Sequence, residues 1–155
     1  MLRTLVTPVA LATLLALSAA VPSVRAMDAA VMSEKDVRAA LFGRTLEGEY
    51  ADGKGWGERF EPDGRTRYTE EGRTVAGRIS FRRGGGAPLV CFSYPDTFGG
   101  GCFEVWRRSL NCFDFYGADE RGAFASPRQR RSGTGWTARA WDESRPSTCR
   151  SDLIG

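Results

Sequence analysis

The chain has 155 residues, with 22 basic and 19 acidic side chains, a formal charge of +3 and no histidine. That length supports one core of modest size, and so even a charge is not that of a nucleic-acid-binding domain, which carries a strongly basic face or stripe. With no His, the Ser-His-Asp and Cys-His designs and every His-ligated metal site are excluded within this chain.

The N-terminus reads as an address. Met1-Leu2-Arg3-Thr4 is a short cationic start, the chain from Leu5 to Val21 is uncharged and apolar or small, and Pro22 interrupts it. Val24-Arg25-Ala26 then offers the side chains a signal peptidase reads, with Ser18-Ala19-Ala20 as a second candidate. This is the three-part layout of a secretory signal. The absence of a twin-Arg pair points to a Sec-type route, and no Cys near the cleavage site invites lipid attachment. The apolar run is short for a membrane anchor, which needs about 20 residues. Residues 1–26 are therefore expected to be a signal peptide and residues 27–155 one periplasmic or secreted domain, with no transmembrane segment after signal removal. Without Arg3 and Arg25 the balance is 20 basic to 19 acidic residues, close to neutral.

Ser33-Glu34-Lys35-Asp36 has the form of a capping box with Asp in the Glu position. Val37, Ala40 and Leu41 follow at helical spacing, and Gly43 is placed to end the helix. One short helix is predicted over residues 34–42, with an apolar stripe narrow enough to suit the rim of something larger. Beyond Gly43, turn signals recur at Asp52-Gly53, Pro62-Asp63-Gly64, Glu71-Gly72, Gly84-Gly85-Gly86 and Pro95-Asp96. They separate segments rich in β-formers at residues 45–50, 55–60, 66–70, 75–81, 89–94, 102–107, 111–116 and 135–141. The pattern predicts an all-β domain with one short N-terminal helix, an antiparallel meander forming a small barrel or a strongly curved sheet. Residues 118–135 read as an exposed loop, and the polar tail from residue 142 reads as irregular but tied down through Cys149.

Three segments repeat a Cys-Phe pair: Cys91-Phe92-Ser93-Tyr94, Cys102-Phe103-Glu104-Val105 and Cys112-Phe113-Asp114-Phe115. Alternation along a strand puts Phe92, Phe103, Val105, Phe113 and Phe115 on apolar faces and the cysteines, Glu104 and Asp114 on the opposite ones. Four Cys in an exported chain argue for disulfides. If Cys91 lies opposite Cys102, Val90 lies opposite Phe103 and the hairpin loop holds Pro95 and three glycines. Pairing Cys102 with Cys112 would instead turn the chain at Trp106-Arg107-Arg108, which has no turn residue. The favoured pairing is thus Cys91–Cys102 with Cys112–Cys149, contributing about 3 and about 4 kcal/mol by loop-entropy arithmetic. The alternatives are a zinc site, which lacks its usual paired C-x2-C spacing, and a reactive thiol, which would have to rely on Arg107 and Arg108 for activation.

Few features point to chemistry, and no cofactor or metal is implied. Glu104 and Asp114 share a face of neighbouring strands, where a carboxylate pair could act as acid and base or nucleophile on a glycoside; ordinary solvated acids are the plainer reading. Trp56, between two glycines, together with Trp106 and Tyr116, could form an aromatic platform for a ligand, or could pack in the core or at a barrel end. Arg128, Arg130 and Arg131 could meet an anionic partner or form a solvated loop.

Residues 46–94, from LEGEYADGKGWGERFEPDG to LVCFSY, resemble a group of small exported alphaproteobacterial proteins with a domain of unknown function. The shared positions are a Gly-x-Tyr opening, an aromatic strand, an Asp-Gly turn, a Gly-x-x-x-Phe strand and Cys-Phe-x-Tyr. The resemblance implies a fold rather than an activity, and no catalytic residue comes with it. Size, signal and cysteines are also loosely similar to small periplasmic β-barrel inhibitors of lysozymes or proteases, although no inhibitory loop motif is visible. The expected function is a non-catalytic exported binding protein whose partner is an envelope protein or glycan. The alternatives are a polysaccharide hydrolase using Glu104 and Asp114, and an enzyme inhibitor presenting residues 95–101. Non-reducing mass spectrometry of the exported form should find no free thiol; alkylation of any of the four cysteines would contradict the staple reading.

Overall fold

A computed structural model of the chain describes residues 29–95 and 99–149. The signal-like segment at residues 1–26, residues 96–98 of the loop an inhibitor would present, and the tail beyond Cys149 lie outside them. In chain order the elements are β1 (Ala30–Val31), α1 (Glu34–Leu41), β2 (Thr45–Tyr50), β3 (Gly55–Phe60), β4 (Arg65–Glu70), β5 (Arg73–Arg83) and β6 (Pro88–Ser93). There follow β7 (Gly100–Ser109), β8 (Cys112–Asp119), β9 (Gly122–Ala123), α2 (Pro127–Ser132) and β10 (Ala138–Asp142).

The turn residues foreseen in the sequence fold the chain back on itself, so that β2 to β8 pair successively and antiparallel. The last strand, β10, fits between β2 and β8. Because β8 also pairs with β7, the sheet closes into an eight-stranded antiparallel barrel. The two-residue strands β1 and β9 flank it, on β7 and β8 respectively.

Alternation sends Leu46, Phe60, Ile79, Val90, Phe92, Val105, Phe113 and Phe115 into one apolar cluster in the barrel. α1 completes that cluster at one end. Its start is fixed by reciprocal hydrogen bonds: Asp36 N–H donates to Ser33 Oγ at 3.2 Å, and Ser33 N–H donates to Asp36 Oδ2 at 3.1 Å. The narrow stripe of Val37, Ala40 and Leu41 is buried against the barrel contents. Phe42 stacks on Phe81 at 6.3 Å, and the Arg38 guanidinium covers both rings. Gly43 N–H donates to Phe60 O at 2.8 Å, which pins the helix exit to the end of β3.

The cysteine registers agree with the sequence reading. Cys91 lies opposite Cys102, Val90 lies opposite Phe103, and disulfides join Cys91–Cys102 and Cys112–Cys149. Asn111 adds a second anchor for the tail: its amide donates to the carbonyls of Asp142, Arg145 and Pro146, and its Oδ1 accepts from Asp142 N–H.

The segment read as an exposed loop, residues 118–135, is more structured. β8 runs on to Asp119, and α2 carries its own capping box between Ser126 and Gln129, with Pro127 in its first turn and Gly133 as its C-cap. None of its residues is buried, so no apolar periodicity announced it. Since α1 contributes a fully buried Leu41 to the core, Leu41→Ala should cost about 2–5 kcal/mol. Urea unfolding of the mature domain measures it; a loss near zero would mean that the helix is not part of the core.

Candidate functional site

At the barrel end away from α1 the interior is incompletely filled. A cavity of about 360 Å³ is lined by Tyr50 from β2, Trp56 and Glu58 from β3, Tyr68 from β4 and Tyr94 just after β6. Phe92, Phe103, Phe115 and Ala138 continue the wall, with Gly99, Gly100 and Thr137 at the strand ends. The lining is aromatic because β3 and β4 place their inward side chains in register across the pair: Trp56 opposite Glu70, and Glu58 opposite Tyr68. Two glycines make room for it. A Cβ at Gly48 would overlap the Trp56 indole, and one at Gly77 would overlap the Tyr94 ring.

The rings form a connected wall. Trp56 lies 6.1 Å from Tyr50, 6.4 Å from Tyr68 and, edge-on, 6.2 Å from Phe115. Tyr68 lies 5.1 Å from Tyr94. The Tyr50 and Tyr68 hydroxyls share a hydrogen bond of 2.8 Å, and Tyr94 Oη donates to Glu58 Oε1 at 2.6 Å.

Glu58 is 3% exposed, and among the described residues no Lys or Arg lines the cavity with it. Burial disfavours its charge and raises its pKa to about 7, although the Tyr94 and Thr66 hydroxyls work in the opposite direction. Burial likewise raises the phenols of Tyr50, Tyr68 and Tyr94, which therefore remain neutral donors. Trp56 Nε1 is buried without a hydrogen bond to any described residue, an uncommon state for a polar atom in a folded interior.

The residues singled out in the sequence separate into two places. Trp56 is in the cavity. Trp106 and Tyr116 meet edge-to-face at 6.3 Å on the outer wall, with Glu104 and Asp114 beside them on β7 and β8. Asp114 is fully buried: Arg139 Nε donates to its Oδ1 at 2.6 Å, and Arg108 bonds both its Oδ2 and the Tyr116 hydroxyl. Glu104 Oε2 lies 3.2 Å from Arg130 Nε and accepts from Trp106 Nε1 at 3.4 Å. Carbonyls of α2 and its C-cap accept from Arg108 and Arg139, so the helix segment roofs this ion-pair network.

Glu58 was passed over in the sequence, though a signal was present. Within Gly55-Trp56-Gly57-Glu58-Arg59-Phe60, alternation places an acid between two aromatics on the inward face. Such a residue is costly in a core and useful in a pocket.

Among the described residues no helix is long and apolar enough to cross a membrane, and no three His, Cys, Asp or Glu side chains gather as a metal site. The two disulfides are compatible with an extracytoplasmic protein. No family model matches the chain, and neither does any curated protein or solved structure.

The raised Glu58 pKa has a consequence for stability. The folded state holds its proton more tightly than the unfolded chain, so this contribution is complete below the ordinary value of 4.5 and is lost as pH rises through about 7. The size is on the order of 3 kcal/mol. Asp142 has the opposite sign but acts elsewhere. Burial alone would raise its pKa, yet hydrogen bonds from Ser144 and Arg44, with the nearby Arg145 charge, hold it at about 2, so its contribution is lost only as pH falls below its ordinary 3.8. Denaturant midpoints should therefore fall as pH rises through the Glu58 window, and Glu58→Gln should flatten that slope. An unchanged slope in the variant would show that Glu58 is not the titrating group.

Proposed function

We propose that this chain is a small exported binding protein that takes a largely apolar ligand into the end of its barrel. The observation that carries this reading is the cavity itself: an aromatic chamber in a closed barrel, whose described lining includes the buried Glu58 carboxyl and Trp56, with its Nε1 lacking a hydrogen-bond partner among the described residues. Binding pockets of small molecules have this make-up, an apolar wall with a few placed polar groups. Export is supported by the layout of residues 1–26 and by the disulfides. The likeness of residues 46–94 to small exported proteins fits, because its positions are turns, inward side chains of β2 to β6 and the disulfide-bonded Cys91.

The polysaccharide-hydrolase alternative has less support. Glu104 and Asp114 are each held by guanidinium groups beneath α2, and Asp114 offers no surface to a substrate. Among the described lining residues Glu58 is the one carboxyl, whereas glycoside hydrolysis ordinarily uses two.

The mature domain titrated with the neutral fluorophore N-phenyl-1-naphthylamine should show a saturable rise in emission. Ala138→Phe, which fills the cavity from β10, should weaken that binding about tenfold while the circular dichroism spectrum stays that of a β-barrel. No saturable signal from the wild-type domain would overturn the reading.

A further inference from the structure

Two buried acids in this molecule are treated in opposite ways. Asp114, on the outer wall, receives two guanidinium groups. Glu58, also buried, receives hydroxyl groups, and among the described residues no Lys or Arg lines the cavity around it. A carboxyl so placed is stable either protonated or beside a positive charge brought from outside. The surrounding surfaces favour the second partner. The rings of Tyr50, Trp56, Tyr68 and Tyr94 all line the chamber and neighbour one another along its wall, and aromatic faces carry negative partial charge that attracts ammonium groups. The negative side chains whose fields reach Tyr50 at this barrel end are Glu70, Glu58 and Asp52. An anionic ligand would meet the carboxyl and the aromatic rings with no Lys or Arg in the described lining to neutralise it.

We infer that the cavity selects ligands carrying an ammonium group, which pairs with the Glu58 carboxylate inside a cage formed by Tyr50, Trp56, Tyr68 and Tyr94. This rests on the reading of the cavity as a ligand site and names the chemistry of its occupant. The ligand is an organic amine or quaternary ammonium compound with an apolar body, which the rings of Phe92, Phe103 and Phe115 would cover.

The groups facing Glu58 define the pH behaviour. β2 contributes Tyr50, β4 contributes Tyr68 and Glu70, and the segment after β6 contributes Tyr94. β7 and β8 present Phe103 and Phe115, and β10 with the residue before it presents Ala138 and Thr137, none of which titrates. Lys54 and Arg73 belong to the turn before β3 and the start of β5 and are not part of the lining. A cation binds the ionised carboxyl, so its binding expels the Glu58 proton and strengthens as pH rises through about 7.

The test compares three probes of similar size on the mature wild-type domain by titration calorimetry: benzyltrimethylammonium, 3-phenyl-1-propanol and 3-phenylpropanoate. The charge of the first does not titrate, so any pH dependence belongs to the protein. The cation should bind about tenfold more tightly than the alcohol, the carboxylate should not bind, and cation affinity should climb as pH rises through about 7. Glu58→Gln should reduce the cation-to-alcohol affinity ratio about tenfold and remove the pH dependence. Should that variant fail to fold, Tyr68→Leu, which removes one face of the cage, should lower the same ratio severalfold. Equal binding of cation and alcohol by the wild-type domain, or an unchanged ratio in the variants, would overturn the ammonium inference while leaving the cavity as a ligand site. Failure of all three probes, together with failure of N-phenyl-1-naphthylamine, would overturn both.

Discussion

The whole molecule depends on one strand pairing on both its edges. β8 bonds to β7 and to β10 at once, so that Phe115 lies opposite Val105 on one side and Ala138 on the other. Without that double pairing the meander would be an open curved sheet with two bare edges, and its inward aromatics would face water. Closure also buries both faces of β8. Phe113 and Phe115 go into the barrel, while Asp114 and Tyr116 are shut beneath α2. The charge on Asp114 then has to be met locally, and the register supplies the means: Arg139 sits directly opposite on β10, and Arg108 reaches across from β7. The outer-wall ion pairs follow from closing the barrel. They are weak evidence for added stability, since such a pair offsets its own desolvation.

Much of this architecture was legible in the sequence. The strands announced themselves through alternation and Gly, Pro and Asp turns, and the register of Cys91 with Cys102 followed from keeping Val90 and Phe103 on one face. Other parts were hidden for physical reasons. α2 buries no side chain, so no apolar periodicity marks it, and its Pro127 and Gly133 lie in a segment whose composition reads as an exposed loop. The tail depends on Asn111, whose amide and carbonyl bond residues more than thirty positions away; no local pattern encodes a contact of that range. Closure itself was left open between barrel and curved sheet, because pairing between β10 and β2 is equally non-local.

The candidate site was harder to read than the fold. The sequence drew attention to Glu104 and Asp114 because they sat beside cysteines on one face, yet partners for both were waiting in Arg108, Arg130 and Arg139. Glu58 had no such prominence. Its distinction is a broken rule: an acid at an inward position with no cation beside it in the described lining. Natural folds tolerate a violation of this kind mostly where function requires it, and here it coincides with a chamber that Gly48 and Gly77 keep open for the aromatic rings.

The Cys91–Cys102 bridge reaches further than the stability it adds. It welds β6 to β7 immediately below the connection between them, so residues 92–101 form part of a covalent ring whose base cannot separate. Barrel integrity is thereby insulated from what the connection contains, and lengthening such a loop carries only a small entropic penalty. Gly99 and Gly100, which border the cavity, belong to that protected segment. Substitutions and insertions there can accumulate in evolution without unfolding the strands on either side, leaving the binding preference free to drift among descendants that keep the same barrel.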